Sequence, residues 1–212
     1  MADEWLARWE SGHIGWHEAK GNRALRKFWP GLTGGSRVLV PLCGKSPDLL
    51  WLSQQGCDVT GVELSAIAAR AFFNEADIRF ETGTHGGLCA FRSVEHQLTI
   101  VCGDYFEFLD EPYDALYDRA ALVALPPSLR PAYVKHTKSL LKANATQLLI
   151  TLEYDQQKVN GPPFSVLPDE VKKYWPGLQR AGGLNALKNM PPKYRDAGLS
   201  EFVEAVWISG QV

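Results

Sequence analysis

Along the chain, short apolar runs rich in β-branched residues alternate with stretches whose apolar positions recur at helical spacing. That alternation predicts βαβ units around a largely parallel sheet, an α/β fold. Arg37 to Leu42 (RVLVPL) reads as a strand apolar on both faces, with a helix directly after it. Ser46 is the expected N-cap of that helix, Pro47 its first residue and Asp48 its first-turn acid, and LLWLSQQ runs on to a stop at Gly56. Cys57 to Leu64 (CDVTGVEL) reads as a second strand ending on Glu63, and Ser65 caps a helix through AIAARAFFNEA. Gln97 to Cys102, Ala115 to Tyr117 with its flanks, and Thr146 to Glu153 supply three more strands, with a helix from Pro126 to Lys142 before the last. Arg79 to Arg92, with paired glycines at its centre, reads as a hairpin. The tail holds a Gly-Pro loop at Asn160 to Phe164, a short helix from Pro168 to Tyr174 and a closing strand in Glu201 to Ser209.

With 212 residues, 45% of them hydrophobic, the chain can bury one sizeable core, so a single domain over 1–212 is expected. A formal net charge of −2 gives no broad footprint for nucleic acid or an anionic membrane. No apolar stretch approaches the roughly 20 residues that span a bilayer, and the start MADEWLARWE lacks the apolar core of a signal peptide. The expectation is a cytoplasmic protein, monomeric, acting on a small molecule. Cys43, Cys57, Cys89 and Cys102 have no CxxC spacing and read as reduced, buried thiols.

In an open α/β sheet, ligands lie at the carboxyl ends of the strands where strand order reverses, so the residues following each strand carry the chemistry. The first offers Pro41-Leu42-Cys43-Gly44 and then Lys45-Ser46, which resembles a phosphate loop. A Walker A loop, however, needs glycine at the position of Leu39. Glu63 follows the glycine turn by about twenty residues, the spacing at which a carboxylate accepts both hydroxyls of a ribose. One glycine beside bulky Leu42 suits no pyrophosphate, so NAD, FAD and ATP are disfavoured. The adenosine ligand without phosphates is S-adenosyl-L-methionine, with Gly103-Asp104 after the third strand to cradle its adenine.

Trp5 and Trp9 share one face of a short helix ending at Gly12. They either pack that helix on the sheet or form a lid over the cofactor, where an indole face attracts the sulfonium. Arg119, in the stretch YDRAAL, needs a partner in an apolar region, either Asp118, another carboxylate or a ligand. His13 and His17 are four apart, but Gly12 and Gly15 interrupt any helix there, so no metal is expected.

WLARWESGHIGWH, VLVPLCGKSPDLLWL, GVELS with its following Phe72, Phe73 and Glu75, YDRAALVALPP and the GPPF loop together resemble the thiopurine S-methyltransferases, bacterial branch. The matching segments run from Trp5 to Phe164. The resemblance implies a Rossmann-like class I methyltransferase fold, with a seven-stranded mostly parallel sheet, its last strand antiparallel, and helices on both faces. It places Trp9, Leu42, Glu63 and Arg119 at S-adenosylmethionine-binding positions, with Trp5, Gly44, Gly103 and Asp104 as further contacts. Arg119 then also serves the acceptor as an anion-stabilising group oriented by Asp118, and Trp16 walls the substrate side. Arg195 or Lys193 is the second substrate-side cation. Residues 1–35 become an N-terminal lid, 36–155 the cofactor-binding core and 156–212 the substrate side. The implied activity is S-methylation of thiopurines or other small aromatic thiols, with inorganic selenium or tellurium species as alternative acceptors. A non-catalytic S-adenosylmethionine-binding module is the rival from another class.

Overall fold

Residues 2–13, 17–187 and 190–209 are described by the computed structural model, and the chain divides into two compact units. The first comprises Met1–Tyr117 with Leu140–Ala145, the second Asp118–Ser139 with Thr146–Val212. In the first unit lie α1 (Ala2–Glu10), α2 (Arg23–Phe28), β1 (Arg37–Pro41), α3 (Asp48–Gln54), β2 (Asp58–Glu63), α4 (Ala66–Glu75), β3 (Phe80–His85), β4 (Leu88–Ser93), β5 (Leu98–Cys102) and the start of β6 (Tyr113–Arg119). Its strands are ordered β3-β4-β5-β2-β1-β6. β1 runs parallel to β2 from Arg37↔Asp58 to Pro41↔Val62, and β2 parallel to β5 from Val59↔Leu98 to Glu63↔Cys102. On its other side β1 pairs in parallel with β6 through Val38↔Ala115 and Leu39↔Leu116. Val38, Leu39, Val59, Val62, Ile100, Val101, Ala115 and Leu116 are all buried, as strands covered on both faces require. The chain moves outward from β1 to β2 and β5, then returns to β1's other flank as β6, so strand order reverses at β1.

β3 and β4 form the expected hairpin around Gly86-Gly87, whose φ values of 55° and 87° give the two consecutive left-handed residues of a type I′ turn. β4 pairs antiparallel with β5. α3 starts one residue later than its sequence suggests, at Asp48, with Pro47 as its N-cap; Ser46 Oγ nonetheless accepts the Asp48 N–H at 3.3 Å. Ser65 caps α4 by accepting the Ala68 N–H. Within this unit, two short elements went unread in the sequence. One is α2, capped by Asn22, whose side-chain oxygen accepts from the Ala24 and Leu25 N–H groups. The other is a 3₁₀ turn over Tyr105–Glu107.

The second unit contains α5 (Arg130–Ser139), most of β7 (Leu141–Glu153), α6 (Pro168–Tyr174), β8 (Leu178–Asn185), α7 (Pro192–Asp196) and β9 (Val203–Ser209). Its strands are ordered β7-β9-β8, with β9 antiparallel to both neighbours. The last strand is thus antiparallel, as expected, but nine strands are present among the described residues against the seven expected. The hairpin β3-β4 accounts for the difference. The helix expected from Pro126 to Lys142 is confined to α5, because the chain turns into β7 at Leu141. Arg130 is buried yet fully answered, donating to the carbonyls of Leu125 and Ser165 and to Glu170 Oε2 at 2.6 Å.

Candidate active site

In the first unit, the carboxyl ends of β1, β2 and β5 carry five of the residues singled out in the sequence, Leu42, Gly44, Glu63, Gly103 and Asp104. Glu63 closes β2 and is buried. Its Oε2 accepts the Gly44 N–H and its Oε1 the Ser65 N–H, both at 2.8 Å, so the carboxylate ties the loop after β1 to the start of α4. Burial raises the Glu63 pKa, and the N–H groups of Ser65, Gly44 and Leu64 hold it back. Gly103 follows β5 and donates its N–H to the Glu63 carbonyl at 3.0 Å.

Gly44 adopts φ 56°, and a methyl group there would lie 3.3 Å from Trp9 Cζ2. The buried Trp9 therefore packs its indole on this loop, and α1 lies against α4. Trp5, one turn earlier and half-buried, has the Arg8 guanidinium 5.3 Å from its ring centroid. Leu42 is half-buried with φ 47°, a left-handed conformation that costs a non-glycine residue on the order of 1–2 kcal/mol, which the surrounding structure must offset. Asp104 is exposed, and its Oδ1 accepts the Phe106 N–H at 2.9 Å as cap of the 3₁₀ turn.

The residues that imitate a phosphate loop are occupied otherwise. Lys45 Nζ pairs with Glu75 Oε1 at 2.6 Å, and Ser46 serves the start of α3. The Glu63 carboxylate offers about four acceptor positions, of which the Gly44 and Ser65 N–H groups take two. One residue of this neighbourhood was not marked as buried in the sequence. Asp48 accepts from the Asn22 N–H at 2.8 Å and the Tyr117 hydroxyl at 2.7 Å, and a side chain on Gly21 would meet its Oδ1. Its signal in the sequence, an acid in a first helical turn, is indistinguishable from a solvated one.

In the second unit, β6 ends on Asp118 and Arg119. Asp118 is completely buried; its Oδ2 accepts the Tyr133 hydroxyl at 2.7 Å and its Oδ1 the Leu122 N–H at 3.2 Å. Burial pushes its pKa up to about 6, with the Tyr133, Leu122 and Ala121 bonds opposing. Arg119 is half-buried and is followed by Ala120 at φ 70°. Lys193 Nζ binds the carbonyls of Asn160 and Pro162 at 3.1 and 2.7 Å, bracing the Gly-Pro loop, whose Pro163 carbonyl accepts from Tyr154 and Tyr194. Arg195 is exposed on α7 and donates to the Met190 carbonyl at 3.3 Å. Trp16 lies outside the described residues. A cavity of about 330 Å³ at the end of β7 is lined by Glu153, Tyr154, Asp155, Leu167, Leu199, Ser200 and Glu201. Among the described residues, no three His, Cys, Asp or Glu side chains are grouped to hold a metal ion, and no helix is long and apolar enough to cross a membrane.

The structure is similar to the 1,6-didemethyltoxoflavin-N1-methyltransferase of Burkholderia thailandensis, solved with S-adenosylhomocysteine, at a TM-score of 0.64 over 99% of this chain and 87% of that one, with 16% identity. The fold is that of the class I S-adenosylmethionine-dependent methyltransferases. At the level of sequence, the family model for thiopurine S-methyltransferase (TPMT) matches residues 1–211. The thiopurine S-methyltransferase of Photobacterium profundum is 42% identical over 98% of this chain and 97% of its own length. That of Pseudomonas putida (strain GB-1) is 44% identical over 96% of each. The chain belongs to the thiopurine S-methyltransferase family.

Proposed function

We propose that the protein transfers a methyl group from S-adenosyl-L-methionine to the sulfur of a thiopurine or another small aromatic thiol. The observation that carries this reading is Glu63, presented at the end of β2 with acceptor positions for a ribose beside a loop whose lysine is already paired. Trp9, Leu42, Glu63 and Arg119 hold the cofactor, with Gly44 giving close approach and Trp5, Gly103 and Asp104 at its edges. When bound, the cofactor supplies a methyl group on a positively charged sulfonium.

The protein's part is alignment and charge. An in-line displacement between sulfurs needs the reactants held about 3–3.5 Å apart and no covalent enzyme intermediate. A thiopurine loses its N–H/S–H proton readily, so a cation that favours the anionic acceptor outweighs a general base. Arg119 is that cation. Asp118 acts through position: with Tyr133 and the Leu122 N–H it anchors the backbone on which Arg119 stands. Arg195 is the second substrate-side cation, because the Lys193 amine already braces the Gly-Pro loop. The acidic lining at Glu153, Asp155 and Glu201 suits no anionic acceptor, so the 330 Å³ cavity is not assigned to it.

Arg119→Ala tests the reading. In steady-state assays with a thiopurine, kcat/KM falls at least about tenfold, the loss of one charge-assisted contact, with the melting temperature little changed. Wild-type kcat/KM in the variant would remove Arg119 from the site, and absence of turnover with any thiol in the parent protein would remove the proposed reaction.

A further inference from the structure

Cys89 and Cys102 are directly opposed across the antiparallel pair β4-β5. Opposed residues point to the same face, with Cα atoms about 4.5 or 5.5 Å apart depending on the hydrogen-bonding register. Both values lie within the roughly 4.4–6.8 Å window of a disulfide. The four cysteines are free thiols, and their exposure differs: Cys89 is exposed and Cys102 half-buried, whereas Cys43 and Cys57 are buried. Cys102 is also the register partner of Glu63 across β2-β5, so the pair borders the carboxylate assigned to the ribose.

We propose that Cys89 and Cys102 are a redox-modification site: a peroxide converts them to a cross-strand disulfide beside Glu63, and a small thiol restores them. The Cys89 thiolate attacks a peroxide oxygen, the O–O bond breaks, and a sulfenic acid and hydroxide form. Cys102 sulfur then attacks Cys89 sulfur, the S–O bond breaks, and the Cys102 proton leaves with the departing hydroxide. Two thiols and one hydrogen peroxide thus become one disulfide and two waters. Cys89 is the first target because it is exposed, whereas burial, Cys89 and Glu63 push the Cys102 thiol up to about 12.

Closure has a direction. Opposed Cβ atoms about 4.5–5.5 Å apart must approach to about 3.5–4.5 Å, which draws Cys102 toward β4. Gly103, next in the chain, donates to the Glu63 carbonyl, and a side chain on it would meet Leu88 of β4 at 2.8 Å. The same movement therefore pulls on the Gly103 bond to Glu63 and weakens cofactor binding, a consequence that rests on the proposed role of Glu63.

The test treats the full chain with hydrogen peroxide, then blocks remaining thiols, maps peptides by mass spectrometry and measures S-adenosylhomocysteine affinity by calorimetry. Expected are a Cys89–Cys102 linked peptide, alkylated Cys43 and Cys57, reversal by dithiothreitol, and a several-fold weaker affinity absent in oxidised Cys89→Ser. Sulfinic or sulfonic acid on Cys89 with no linked peptide would overturn the site. A linked peptide with unchanged affinity would overturn only its coupling to the cofactor.

Discussion

The proposed cofactor site turns on Glu63, whose two carboxylate oxygens each accept a backbone N–H, from Gly44 and from Ser65. Each oxygen faces a backbone N–H, so a side-chain NH₂ at either position opposes donor to donor. Glu63→Gln should weaken S-adenosylhomocysteine binding by about 1.5–3 kcal/mol, roughly tenfold to a hundredfold in Kd by calorimetry. Equal affinity in the variant would mean that the carboxylate only organises the loop. Glu63 was legible in the sequence because its spacing from Gly44 is imposed by one turn, one helix and one strand. Asp48 was not, because burial of a helix-start acid depends on partners far along the chain, Asn22 and Tyr117.

Elements are fastened to one another by such buried acids. Asp48, at the start of α3, holds both the segment leading into α2 and the Tyr117 hydroxyl on β6. Asp48→Ala leaves a buried N–H and a buried hydroxyl without their acceptor, a loss of about 2–4 kcal/mol in denaturant unfolding; less than about 1 kcal/mol would mean water replaces the carboxylate. At the end of β6, Asp118 does the same toward α5 through Tyr133. Its pKa is raised from 3.8 to about 6, so the folded state keeps a proton that the unfolded chain releases. This contribution is full below about pH 4 and lost as pH rises through about 6, a change on the order of 2–3 kcal/mol. Asp118→Asn should flatten that part of the stability profile, and identical profiles for parent and variant would exclude Asp118 as its source. Where element boundaries differed from expectation, distant partners decided. Leu140 and Lys142 look helical in sequence, but the Leu140 carbonyl accepts from Tyr113 and Lys142 pairs with Asp114, which leads the chain into β7. β8 gave no alternating signal because it is an edge strand paired with β9 and exposes most of its side chains.

For the molecule as a whole, periodicity revealed the parallel strands because they are buried on both faces, and the loops at their ends because glycine and capping residues mark them. The residues proposed for the acceptor side were less legible: Arg119 closes a strand that the sequence did show, but Arg195 and the Gly-Pro loop lie in segments whose conformation no local pattern dictates. The account's central claim is methyl transfer from S-adenosyl-L-methionine to sulfur. Its most direct test supplies the protein with methyl-labelled S-adenosyl-L-methionine and a thiopurine, beside an inorganic selenium oxyanion, and follows the label by mass spectrometry. Label on the thiopurine sulfur, with S-adenosylhomocysteine formed in equal amount, is the predicted result. Label on a ring nitrogen, or no transfer to any sulfur by a protein that binds S-adenosylhomocysteine, would contradict it.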